Sequence, residues 1–214
     1  MDLEQVVKGR RSIRRFLDKE VPLESVMKAI SLACWAPNGG NFQSWKFFVV
    51  TNRGVIDRMA DTLQEKMDLM AEWPEVGEFG ETFQRYRRNA CFFRQAPVVI
   101  GVAYGDYQSA ADRVLRRRGE TDQAAREMLN NRAAAASRVQ TIAGAIQTML
   151  LGLQNEGLGA CWMVGPMLVR GQLEEILGVP KEMGLYALVP VGYPETVPDP
   201  APRKPMSEVV TVLD

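Results

Sequence analysis

The chain contains no histidine. That removes the side chain that most often acts as general base, the usual activator of serine and cysteine nucleophiles, and the commonest ligand of transition metals. A serine-protease-like triad and a zinc-type mechanism are disfavoured from the outset. Cysteine is scarce: Cys34, Cys91 and Cys161 are odd in number, lack metal-ligand spacing, and read as buried free thiols. No apolar run approaches the roughly 20 residues that span a bilayer, and Met1 to Gln5 lacks the basic-then-apolar order of a signal peptide. No membrane association and a cytoplasmic location are therefore expected. Net charge is absent too, with 26 basic and 26 acidic side chains, which argues against the broad basic face of a nucleic-acid-binding domain. Chemistry without histidine falls most easily to a bound cofactor, which the protein has only to orient and polarise.

Against this neutral background one cluster stands out. Four arginines fall in the six residues Arg10-Arg11-Ser12-Ile13-Arg14-Arg15, and a second basic pair, Arg203-Lys204, sits far along in a proline-rich tail. A guanidinium offers a planar fork of donors that matches phosphate oxygens, and a serine hydroxyl adds a neutral donor. In an extended segment, Arg10, Ser12 and Arg14 share one side. The cluster reads either as a phosphate clamp or, taken alone, as a solvated basic turn.

The chain of 214 residues, 46 % of them hydrophobic, is long enough for one sizeable core, and it is read as a single domain over 1–214. Leu3, Val6 and Val7 mark a short helix; Val26, Met27, Ile30 and Ala33 mark a second that begins after Pro22 and stops by Pro37. Pro37-Asn38-Gly39-Gly40-Asn41 is a turn cluster, followed by an apolar run from Trp45 to Val50 that reads as a strand. The loop's amides and carboxamides would suit the polar edge of a planar heterocycle, although alone it is only a turn. Residues 54–94 are expected to be helical in pieces broken by Pro74, Gly77 and Gly80; Met59, Met67, Met70, Trp73 and Phe79 serve core packing or the cap of a pocket.

Pro97 to Ala103 is the clearest strand, and the polar stretch from Asp106 to Arg132 reads as surface helix and loop. A long helix is expected from Ala133 to Gly157, a strand over Cys161 to Val164, a short helix closed by Gly178, and a last strand over Leu185 to Val191. Helices and strands mix without strict alternation, which favours an α+β fold. The tail carries Pro194, Pro198, Pro200, Pro202 and Pro205 and so reads as an extended arm, whose apolar end at Val209, Val210, Val212 and Leu213 calls for a docking surface.

Four motifs in order resemble the nitroreductase family of flavoproteins: Arg10 to Phe16, Ala36-Pro37-Asn38-Gly39-Gly40-Asn41-Phe42-Gln43-Ser44-Trp45, Gly157-Leu158-Gly159-Ala160-Cys161-Trp162, and Arg203-Lys204-Pro205. The resemblance covers nearly the whole chain and is weakest at 54–132, a variable helical or lid region. It implies an α+β sandwich with a central, mostly antiparallel sheet flanked by helices, an arm-exchanged homodimer whose arm is 193–214, and FMN at the subunit interface. By the same resemblance Arg10, Ser12 and Arg14 hold the phosphate and ribityl chain, and Arg203 closes on the phosphate. Arg11 contacts the ring or its ribityl oxygens. Pro37, Asn38, Gly39 and Asn41 come from the partner to face the ring, while the backbone at Met163, Val164 and Gly165 lies near its reactive N5. Asn38 departs from the serine common in the family, and Val164 from a frequent acidic residue.

The implied activity is a two-step one, with NADH or NADPH reducing the flavin and a nitroaromatic, quinone or related conjugated electrophile oxidising it. No side chain is assigned as catalytic and no metal is expected. A specialised member, a reductive dehalogenase or an oxygen-using enzyme, is the first alternative; a phospholigand or nucleic-acid binding module is the second.

Overall fold

The two most continuous apolar runs of the sequence become neighbouring strands, and the second, Val98–Gly105, lies inside the sheet where both of its faces are hidden. The computed structural model describes residues 2–213. In it β1 (Trp45–Val50) lies antiparallel to β2 (Val98–Gly105), and every residue of β2 is buried. β4 (Met183–Gly192) covers the other edge of β2, and β3 (Gly159–Ala160) adds a short edge strand, giving the order β1-β2-β4-β3 with all ladder pairings antiparallel. Ile100 stands opposite Val49 on one side and Val189 on the other, so the register is fixed by apolar side chains.

The strand expected over Cys161 to Val164 is the main departure. The ladder proper stops at Ala160, and the chain rejoins β4 only through a bridge between Met163 and Leu188. Cys161 N–H donates to the Pro190 carbonyl at 3.3 Å, but Pro190 has no N–H to return the bond. One missing donor interrupts the ladder and frees the segment to turn into a short 3-10 stretch at Gly165–Val169.

Helices close both faces. α2 (Leu23–Ala33) and α7 (Ser137–Asn155) pack Ala29, Ile30, Ile142, Ile146 and Leu153 against Val98, Ile100 and Val189. On the opposite face α3 (Arg53–Ala71) and α8 (Arg170–Leu177) bring Ile56, Met59, Leu63, Met67 and Leu173 against Val99, Leu185 and Leu188. Met59 and Met67 are thus core residues, whereas Trp73 and Phe79 are exposed. The fold is α+β, as expected.

Several boundaries differ for local reasons. Pro74 separates α3 from α4 (Val76–Ala90), which runs through Gly77 and is kinked, not ended, at Gly80 (φ 45°, ψ −124°). The polar stretch after β2 forms two helices, α5 (Ala110–Arg118) and α6 (Gln123–Ala134), capped by Ser109 and Asp122. Ala133 and Ala134 belong to α6, because Ala136 adopts a left-handed conformation (φ 49°, ψ 46°) that restarts the chain as α7. α8 ends at a left-handed Gly178 as its sequence foretold. Cys161 is buried and Cys91 partly so, but Cys34 is exposed; it caps α2 on the side away from the buried Ala33 and Ala36. The arm beyond Glu195 is exposed throughout its described length and contains one helical turn, α9 (Met206–Val209).

Candidate functional site

The arginine cluster is laid out by a single backbone event. α1 (Leu3–Gly9) ends at Arg10, whose extended conformation (φ −61°, ψ 131°) turns the chain into a strand-like segment. Ser12 bridges Ala160 in parallel, and Ile13 N–H donates to the Ala160 carbonyl at 3.0 Å. Ile13 is buried, so the residues on either side of it, Ser12 and Arg14, face away from it. Burial raises the pKa of the Cys161 thiol, and the nearby charges of Arg14 and Arg10 and the Ser12 hydroxyl pull against that shift. Arg10, Ser12 and Arg14 thus all lie in the neighbourhood of Cys161, on the side of the segment that their alternation gives.

Arg11 turns elsewhere. Its guanidinium donates to the carbonyls of Lys8 (2.6 Å), Arg10 (2.9 Å) and Pro198 (3.2 Å), tying the foot of α1 to the C-terminal arm. Further pairing of Phe16 with Pro194, and of Glu195 N–H with the Arg15 carbonyl, anchors the start of the arm beside the cluster.

Arg14 also lines a cleft of about 500 Å³ with Arg15, Arg88, Asn89, Cys91 and Arg94. Arg94 pairs with Asp61, another lining residue. Arg14, Arg15 and Arg88 make no ion pair among the described residues, so the cleft carries a positive excess. Burial pushes the Cys91 thiol up to about 11, which makes it a poor nucleophile at neutral pH.

Met163 is buried in the core, Val164 is 59 % exposed, and Gly165 opens the 3-10 turn. A Cβ added at Gly165 would lie 2.9 Å from the Tyr86 hydroxyl, so α4 sits directly against this backbone. The indole N–H of neighbouring Trp162 is buried without a hydrogen-bond partner among the described residues.

The glycine-asparagine loop stands apart. Asn38 holds its own loop, accepting from Gln43 N–H at 2.9 Å and donating to the Ala36 carbonyl at 3.4 Å. Asn41 and Gln43 are both left-handed (φ 53° and 51°), and the Tyr107 ring lies so close to Gly39 that a Cβ there would be 2.8 Å from it. Pro37, Asn38 and Gly39 line a cleft of about 450 Å³ with Tyr107, Arg132 and Arg138. Both arginines are paired, Arg138 with Asp106 at 3.2 Å and Arg132 with Asp112, whose carboxyl is held well below the usual carboxylate range by Arg132 and by Ser109.

The two clefts share no lining residue. Within one chain the structure brings Arg10, Ser12 and Arg14 together and leaves Pro37, Asn38, Gly39 and Asn41 elsewhere. Among the described residues Arg203 donates only to the carbonyls of Ala201 (3.3 Å) and Pro202 (3.4 Å) in its own arm. Sequence reasoning missed Tyr86, Arg88, Tyr107, Arg132 and Arg138. Tyr107 carried one usable signal, an aromatic two residues beyond a buried strand; the others lie where no periodic pattern points to a cleft.

Comparison with known proteins places this arrangement among relatives. The sequence profile described as the nitroreductase family matches residues 7–193. The iodotyrosine deiodinase of Thermotoga neapolitana is 26 % identical over 216 residues, covering 97 % of this chain and 95 % of the relative. A BluB-like flavoprotein from Clostridium difficile 630 superposes with a TM-score of 0.89 at 26 % identity, covering 100 % of both chains. The FMN-dependent nitroreductase NfnB from Mycobacterium smegmatis, solved in complex with NADPH, shares the fold with a TM-score of 0.70 at 20 % identity over 99 % of this chain and 97 % of that one.

Proposed function

The chain belongs to the nitroreductase family, and we propose that it is an FMN-dependent oxidoreductase that takes reducing equivalents from NADH or NADPH and passes them to a nitroaromatic, a quinone or a related conjugated electrophile. The observation that carries this reading is the extended segment Arg10 to Arg14, pinned to Ala160 by Ser12 and Ile13, which sets Ser12 and Arg14 on the side opposite the buried Ile13. Two guanidinium groups and a hydroxyl form a donor set without an acid, which fits a phosphate dianion. The close approach of Tyr86 accounts for the glycine at 165 and sets α4 against the backbone that is to face the ring.

Bound FMN would supply the two-electron chemistry, accepting hydride at N5 and giving it up again. The chain's own part is to hold, orient and shield. Arg10, Ser12 and Arg14 fix the phosphate end, and the backbone at Met163, Val164 and Gly165 supports the ring edge. With no histidine and no side chain placed as a general acid, solvent delivers the proton to the acceptor.

The Pro37 to Asn41 loop reaches the ring from a partner subunit. Support for a homodimer comes from the separate clefts and from apolar surface that one chain leaves uncovered. Trp35 is 87 % exposed next to the loop, and Leu213 is 89 % exposed at the end of an arm that also presents Val197, Met206 and Val212. Exchange of these arms covers that surface and brings Arg203 to the phosphate.

Similarity to the Thermotoga deiodinase over nearly its whole length favours one second reading, reductive removal of halide from an aromatic ring. Initial rates with NADH and NADPH against a nitroaromatic, a quinone and a halogenated phenol separate the two. Parallel double-reciprocal lines with the first two acceptors support the principal reading. Turnover confined to the halogenated phenol rejects it in favour of the second.

A further inference from the structure

We propose that Arg88 of α4 is a further anion-holding residue of the cofactor site, acting beside Arg14. This rests on the FMN reading and extends it to an element, the lid region, to which no cofactor role has been assigned.

Two independent observations bring α4 to the site. Tyr86 places its hydroxyl against Gly165, in the backbone segment that supports the ring. Arg88, two residues on, lines the same cleft as Arg14 of the arginine cluster. Tyr86 and Arg88 stand about 200° apart around α4, so the helix lies between the ring support and the arginine cluster and turns Arg88 to the latter. Of the neighbouring arginines, Arg87 pairs with Asp68 at 2.5 Å, Arg94 pairs with Asp61, and Arg85 does not line the cleft. Arg88 is an exposed cation with no ion pair among the described residues, facing a cleft that holds Arg14 and Arg15. Like charges gathered around one cleft repel each other and are stabilised by an anion between them. Asp61 is the only acidic residue lining the cleft, and it is committed to Arg94.

α4 is also loosely held. Ala90 is its only buried residue, and Gly80 kinks it. A helix with so little core contact is free to settle onto a bound ligand, and Arg88 gives it an electrostatic reason to do so.

The negative charge has two sources on one molecule: the phosphate of FMN, and the pyrimidine edge of the ring once it is reduced. Dissociation constants for FMN and for riboflavin, which lacks the phosphate, together with the midpoint potential of the bound flavin, distinguish them in the wild type, Arg88→Ala, Arg88→Lys and the control Arg117→Ala on α5. The proposal expects Arg88→Ala to weaken FMN binding about tenfold, the low end for a charge-assisted contact at an exposed group, with partial recovery in Arg88→Lys and none of the loss in Arg117→Ala. A loss confined to FMN assigns Arg88 to the phosphate. A loss for both flavins together with a lower midpoint potential assigns it to the reduced ring. Unchanged affinities and potential overturn the proposal, as does an equal loosening of both flavins at constant potential, which is the mark of a packing role. Failure of the wild type to bind FMN at all would instead remove the reading on which the proposal rests.

Discussion

Arg11 Nε donates to the carbonyl of Pro198 at 3.2 Å, across 187 positions of sequence. The same guanidinium holds the last turn of α1 through Lys8. It thus fastens the base of an arm whose described remainder touches little else. Arg11→Ala should leave the core folded and release the arm, seen as faster proteolytic cleavage within 196–205. Unchanged cleavage would mean that the pairing at Phe16 and Pro194 holds the arm alone.

Arg14→Ala and Arg203→Ala each remove one guanidinium from the proposed phosphate site. Each should weaken FMN binding by about 1.5–3 kcal/mol, the range for hydrogen bonds to charged groups. Fluorescence titration of the apoprotein reads this directly. Flavin affinity unchanged in both variants would remove the clamp assignment.

Ending the chain at Glu195 deletes the exposed apolar arm while sparing the sheet and both helical layers. The truncated protein should remain folded by circular dichroism, run as a monomer in light scattering, and lose flavin. A monomer that retained stoichiometric FMN would contradict a site shared between subunits.

The α5–α6 hairpin should be sensitive to acid. Arg132, with Ser109, lowers the pKa of Asp112, so its contribution is fully present above the unfolded carboxylate value of about 3.9 and is lost as pH falls toward the folded value. The protection of the 110–134 amides against hydrogen exchange, measured relative to their intrinsic rates, should therefore fall below about pH 4 before that of the core. Asp112→Asn should show the faster exchange at neutral pH and little further change on acidification.

Much of this arrangement was legible in the sequence because it depends on local rules. The alternation of Arg10, Ser12 and Arg14 gave their shared side once the chain was extended, and the buried Ile13 between them made that conformation obligatory. Apolar continuity marked β1, β2 and β4. The strand at 161–164 was misjudged because its fate depends on a residue across the sheet: Pro190 lacks a donor, which residues 161–164 alone do not reveal. Arg88 and Tyr86 were not legible for a similar reason. Their neighbours Arg14 and Gly165 lie far away in sequence, and only the packing of α4 beside α3 brings them together. Tyr107 carried only its place two residues beyond a buried strand, since its contact with the loop is set by the close approach of Gly39 and Gly40.

The central claim is that the arginine cluster holds a flavin which carries electrons from a nicotinamide donor to an electrophile. The most direct measurement is the visible spectrum of the protein reconstituted with FMN, taken anaerobically before and after NADH or NADPH and again after a quinone or nitroaromatic. The account predicts flavin bands that bleach with a nicotinamide and return with the acceptor. A protein that retains no flavin, or retains one that neither nucleotide reduces, would contradict it.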